Sequence, residues 1–126
     1  MRYNKYMEEK TAYNKYRVSP KAQRTIDGIT FASKLEKKRY CELVLLLKAK
    51  EIFNLVMQKK YILQEKFEKN GVKYREISYV SDFEYTTKEL KLVIEDCKGM
   101  KTPEYIIKKK LFEYKYPHLT ITEVKK

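Results

Sequence analysis

Three residues give this sequence its chemistry: Asp82, Asp96 and Lys98. They lie in Ser81-Asp82-Phe83 and, farther along, in Glu95-Asp96-Cys97-Lys98-Gly99. Side chains on an extended strand alternate between faces, so Asp96 and Lys98 project the same way and Glu95 projects the other. Asp82, placed on the neighbouring strand of the same hairpin, reaches Asp96. Two carboxylates that converge near a backbone kink can bind Mg²⁺, with Mn²⁺ as a substitute, through oxygen ligands. A lysine beside them can orient or activate a water, or neutralise charge developing on a phosphate. Val80, Phe83 and Leu92-Val93-Ile94 flank the two acids. Such apolar runs draw them toward a partly buried place, where a carboxylate is costly unless a cation compensates it. Taken alone the pattern is loose, and a hairpin whose charged end carries a weak exposed Asp96–Lys98 pair fits it too.

The elements that must position these residues can be read from period and punctuation. Asp27-Gly28, between short apolar stretches, predicts a tight hairpin over residues 24–32. Ser33-Lys34-Leu35-Glu36 opens a helix with a capping box. Its apolar face is Leu35, Tyr40, Leu43, Leu46 and Leu47, and it should run to about Lys50. Ile52–Met57 is a short apolar stretch ending at Gln58. Tyr61–Phe67 reads as a strand, Asn70-Gly71 as a turn, Val72–Tyr79 as partly β, and Tyr79–Tyr85 as extended. Thr86–Glu89 reads as a turn and Leu90–Cys97 as a strand, broken by Gly99. Thr102-Pro103 starts a second helix, with a threonine cap and proline at the first helical position. Pro117 ends that helix. In a last strand, Leu119–Val124, the residues Leu119, Ile121 and Glu123 share one face. The expected class is α/β, a mixed central sheet flanked by helices.

Composition sets the partner. The 126 residues carry 29 Lys+Arg against 17 Asp+Glu, a formal charge of +12, which attracts polyanions. Nucleic acid is the expected partner. The bases concentrate at the ends: residues 1–24 and residues 98–126 each carry a surplus of five, and most acids lie between. Residues 1–23 read as a basic, tyrosine-rich arm preceding a domain over 24–126. Tyr3-Asn4-Lys5-Tyr6 recurs there as Tyr13-Asn14-Lys15-Tyr16. Its tyrosines can stack on bases, or the arm is simply solvated. Two cysteines, Cys41 and Cys97, and one histidine, His118, are too few for a zinc site or a disulfide framework. Both cysteines read as small buried hydrophobes, and His118 as structural. No apolar run is long enough to span a membrane and no signal-peptide region opens the chain, so a cytoplasmic setting is expected.

These features together resemble the PD-(D/E)XK nuclease superfamily, whose restriction-endonuclease-like core runs helix, three-strand meander, helix, strand. The chain closely resembles a phage-encoded family of unknown function. The residues that carry the likeness are Asp27-Gly28-Ile29, Phe31, Ser33-Lys34-Leu35-Glu36, Gln58, Asp82-Phe83, Asp96-Cys97-Lys98-Gly99, Thr102 and Lys108-Lys109-Lys110. In order of elements the chain is also similar to archaeal Holliday-junction resolvases. The resemblance implies an Mg²⁺-dependent endonuclease acting on branched or recombination DNA, as a homodimer. Asp82 and Asp96 would bind the metal, Lys98 would assist the attacking water, and Glu36 would support the metal from the first helix. Glu36 is explained equally by its bond to Ser33. The proline that usually precedes the first aspartate is Ser81 here. Gln58 would touch the site or substrate, or is a polar residue at a strand edge. Lys108 and Lys109 would meet phosphates, or form a solvated helix face. The rival expectation is a protein that binds DNA or a host partner on this fold without cutting.

Overall fold

The computed structural model describes residues 19–125. Contacts divide the chain into two compact units, with the division inside the first helix between Cys41 and Glu42. The arm assigned to residues 1–23 lies outside the described residues as far as residue 18.

In the first unit a 3-10 turn, Lys21–Arg24, leads into a hairpin of β1 (Thr25–Ile26) and β2 (Ile29–Thr30). Its corner is the expected Asp27-Gly28, with φ of 53° and 75°. Both residues are left-handed, as a type I′ turn requires. Arg24 holds the hairpin from inside: Nε donates to the Ser19 carbonyl at 2.8 Å and Nη1 to the Phe31 carbonyl at 2.7 Å. The first helix, α1, spans Lys34–Lys48. Ser33 Oγ accepts the Glu36 N–H at 3.1 Å, the cap that the sequence predicts.

The helix ends two residues short of the expected Lys50, and without a glycine. Glu51 N donates to Leu46 O at 2.9 Å and Lys50 N to Leu47 O at 3.0 Å, while Lys50 adopts φ of 60°. This is a Schellman closure with lysine at the left-handed position. Two expected burials are corrected here. Leu47 is 38% exposed, so it lies off the buried face that Leu43 anchors, and Cys41 is only half-buried.

The second unit is built on a four-stranded sheet. Its strands are β3 (Ile52–Met57), β8 (Phe83–Thr87), β9 (Leu92–Cys97) and β10 (Ile121–Val124), in the order β10-β9-β8-β3. β3, β8 and β9 are antiparallel neighbours, and β10 joins β9 in parallel after the helix α2 (Pro103–Lys115). The fold is therefore mixed α/β, with the expected order of helix, three-strand meander, helix and strand. Between β3 and β8 the chain inserts β4 (Lys60–Gln64), β5 (Phe67–Lys69), β6 (Val72–Tyr74) and β7 (Ile77–Val80). β4 pairs with β7, and β5 with β6. The turn after β8 falls one residue later than expected. Leu90 N donates to Thr87 O at 2.9 Å, with Leu90 at φ of 66°.

Two backbone bonds join the β3–β8 ladder to the β4–β7 ladder. Gln58 N donates to Asp82 O at 3.3 Å, and Ser81 N donates to Lys59 O at 2.9 Å. The two ladders are thus one bent ribbon, and the bend is at Asp82. Gln58 takes the strain, with φ of 57°. The core of this unit is Tyr79, Ile94, Tyr105, Phe112 and Ile121, with Tyr61, Leu63, Tyr116 and Leu119 packed around it. Rings meet edge-on: Tyr61 and Phe112 lie 5.1 Å apart at 88°. Thr102 Oγ1 accepts the Tyr105 N–H at 3.1 Å and Pro103 opens α2, as predicted.

Candidate metal and nucleic-acid site

Asp96 and Lys98 meet in the second unit, and Asp82 is tied to the same strand through the Cys97 N–H. β8 and β9 pair Phe83 with Glu95, and Asp82 sits in the bend just before β8, one residue outside that ladder. Asp82 is fixed by backbone on three sides. Its N–H donates to Glu95 O at 3.0 Å, its carbonyl accepts the Gln58 N–H, and its Oδ2 accepts the Cys97 N–H at 2.7 Å. Ser81 precedes it, fully buried, and its N–H serves Lys59. Proline has no N–H to give, so this bond disfavours proline at position 81.

Asp96 is buried, at 3% exposure. Its Oδ2 accepts a hydrogen bond from the Tyr79 hydroxyl at 2.7 Å. Its Oδ1 is 3.0 Å from Lys98 Nζ, an ion pair that lacks hydrogen-bond geometry, and has no hydrogen-bond partner in the structure. Burial, then the charge and hydrogen bond of Asp96 and the charge of Asp82, push the Tyr79 hydroxyl far above its ordinary pKa. Tyr79 therefore remains a donor and turns the Asp96 carboxylate so that Oδ1 is the oxygen left to bind. Glu95 engages Tyr85 instead, in keeping with the opposite face that strand alternation assigns it.

Lys98 has two contacts besides its backbone bond to Val124. It pairs with Asp96, and its Nζ lies 4.1 Å from the centroid of the Tyr105 ring. Tyr105 Oη donates to Glu123 Oε2 at 2.8 Å. Glu123 also meets Lys101 at 3.0 Å and Lys109 at 3.2 Å. The hydrogen bond from Tyr105, then the two lysines, lower its pKa to about 2 despite opposing burial. In the parallel ladder Glu123 is the direct partner of Asp96. Asp96 and Glu123 therefore stand side by side on neighbouring strands, and the lysines hold the second of them.

A cleft of about 310 Å³ opens onto Asp96 and Lys98, and Lys108 reaches it from α2. Lys98 and Lys101 also line a neighbouring hollow with Lys125. Lys108 pairs with Glu104 at 3.0 Å, and Lys109 with Glu123. Gln58 is exposed, and its backbone N–H bonds to Asp82 O. Glu36 belongs to the first unit, where its carboxylate accepts from the Ser33 hydroxyl at 3.4 Å. His118 is exposed in the turn before β10.

Sequence reasoning missed Tyr79, Tyr105 and Glu123 as site residues. Glu123 carried a signal, since strand alternation set it on the face of buried Ile121. The two tyrosines carried none, because a core tyrosine and a tyrosine that orients a carboxylate have the same periodicity.

The residues present fit a divalent cation of the Mg²⁺ type. Among the described residues no three His, Cys, Asp or Glu side chains group to hold a metal. Mg²⁺ does not need three, because it commonly keeps several waters and binds one or two carboxylates together with substrate phosphate. The buried Asp96 Oδ1, which accepts no hydrogen bond and is ion-paired to Lys98, is the oxygen that would bind it.

A family sequence profile described as "Protein of unknown function (DUF1064)" matches residues 5–126. The chain belongs to the DUF1064 family. No curated protein and no solved structure matches it. Among the described residues of this DUF1064 protein, no helix is long and apolar enough to cross a membrane.

Proposed function

We propose that this protein is a divalent-metal-dependent endonuclease that hydrolyses phosphodiester bonds in DNA, with branched or recombination intermediates as its substrate. The observation that carries this reading is Asp96: buried, turned by Tyr79, with Oδ1 free of hydrogen bonds and ion-paired to Lys98, in a cleft that Lys98 and Lys108 also line. A bound Mg²⁺ would neutralise phosphate charge and make a coordinated water more acidic.

The chain's own residues supply the rest. Asp96 Oδ1 and Asp82 would hold the ion. Asp82 is positioned by the Cys97 N–H and the ribbon bend. Lys98, set on the Tyr105 ring, would orient the attacking water or balance the charge growing on phosphorus. Lys101, Lys108 and Lys109 would hold flanking phosphates. Their carboxylate partners Glu104 and Glu123 keep these long side chains in place. Two matched cuts across a junction need two sites, so a symmetric dimer belongs to this reading.

The test is incubation of labelled linear, flapped and four-way DNA with Mg²⁺, Mn²⁺ or EDTA. Cutting that requires the metal, and is strongest on the branched substrate, supports the reading. No cutting of any substrate with either metal overturns it. The absence of a three-acid group among the described residues favours a second reading, a DNA-binding protein without chemistry. In that case Asp96→Ala would leave every function intact.

A further inference from the structure

The β5–β6 hairpin stands apart from the metal site. Each strand pairs only with the other, and every residue from 64 to 75 is exposed. Its corner is Asn70-Gly71, with φ of 53° and 76°, again a type I′ turn. Both strands are short, and a two-stranded ribbon of this kind is marginal in water. Even so, it shows three large apolar side chains to solvent: Phe67 at 45%, Val72 at 50% and Tyr74 at 46% exposure.

Phe67 and Tyr74 are register partners, and their rings stack with centroids 4.6 Å apart at 11°. In a stack of two, each ring keeps one face turned away from the other. The surrounding charge is positive. Lys66, Lys69, Lys73 and Arg75 stand against Glu65 and Glu68, a surplus of two over residues 64–75. Glu68 lies opposite Lys73, and Glu76 just beyond is taken by Lys60 at 2.5 Å. Among the described residues no ion pair engages Lys66, Lys69 or Arg75.

We infer that this hairpin is a stacking platform for unpaired DNA bases. The inference rests on the DNA reading above and names the feature of the substrate that is recognised. An exposed aromatic face takes a base of any identity, and flanking cations take the phosphates on either side. A paired base is already stacked within its duplex and offers no free face. The hairpin would therefore favour strands opened at a branch or flap over continuous duplex.

The test uses the full chain in EDTA, so that binding is read without cutting. Fluorescence anisotropy follows a labelled oligothymidine, an abasic strand of equal length, and a duplex. The wild type should bind oligothymidine roughly tenfold or more tightly than the abasic strand. Phe67→Ala/Tyr74→Ala should abolish that preference and change duplex affinity by less than about twofold. Phe67→Leu/Tyr74→Leu keeps the apolar cover of the hairpin without aromatic rings, and it should behave the same way. A preference for bases that survives both double variants, or an equal loss on all three ligands, overturns the platform and leaves the DNA reading standing. A wild type that binds none of the three overturns the platform, and the cleavage assay on branched DNA then decides the DNA reading separately.

Discussion

The Tyr79 hydroxyl donates to Asp96 Oδ2 at 2.7 Å, and that bond decides which oxygen of a buried carboxylate is left for a cation. Tyr79 comes from β7, in the inserted ribbon, and Asp96 from β9, in the central sheet. The insertion therefore completes the site as well as extending the ribbon.

Tyr79→Phe should weaken Mn²⁺ binding by about 10–100-fold, the usual cost of losing a partner that orients a metal ligand. It should also lower stability by about 1–3 kcal/mol, because Asp96 Oδ2 would lose its donor while buried. Metal titration and urea unfolding check the two effects. Unchanged metal affinity would remove Tyr79 from the site.

Lys98 competes with any cation at Asp96, since its Nζ lies 3.0 Å from the same Oδ1. Lys98→Ala should leave Mn²⁺ affinity unchanged or raise it. DNA cleavage should fall by roughly 100-fold or more if the amine acts on the attacking water. Paired metal titrations and cleavage rates report this directly. A parallel loss of metal binding and cleavage would make Lys98 a structural prop.

Ser81→Pro should destabilise the protein by about 1–3 kcal/mol, because it deletes the N–H that Ser81 gives to Lys59 O inside the ribbon. Ser81→Ala keeps that bond and loses only a long contact from Oγ to the same carbonyl, 3.5 Å, so it should cost much less. Chemical denaturation separates them. A proline variant as stable as wild type would show that the ribbon bend does not depend on this bond.

Glu123 should make stability depend on pH in acid. Its folded pKa, about 2, lies below the ordinary 4.5, so its contribution is present in full above 4.5 and is lost as pH falls toward 2. The stability gap between wild type and Glu123→Gln should therefore be widest above pH 4.5 and shrink through that window. Thermal melts at stepped pH measure it. A gap that widens on acidification would contradict the assigned network.

Much of this was legible in the sequence, wherever the physics is local. Asp27-Gly28 and Asn70-Gly71 fixed hairpin corners because few residues tolerate two left-handed conformations in a row. Ser33 and Thr102 announced helix starts through the side-chain oxygens that cap them. Alternation alone put Asp96 and Lys98 on one face and Glu95 on the other. What stayed hidden depends on distant partners. Glu123 sits beside Asp96 only because α2 returns β10 to pair in parallel with β9. The serine at position 81 makes sense only once Lys59 is known to face it. The end of α1 was misplaced because Lys50 takes a conformation that glycine usually announces. Leu47 fits a helical apolar period but lies at its exposed margin.

The ion itself is the most direct test. Mn²⁺ titrated into the wild-type chain, with free ion followed by electron paramagnetic resonance, should show a single bound ion per chain. That binding should disappear in Asp96→Asn and in Asp82→Asn while circular dichroism stays unchanged. A wild type that takes up no Mn²⁺, or an Asp82→Asn/Asp96→Asn chain that binds it as well as wild type, would contradict the claim that these two carboxylates form a metal site.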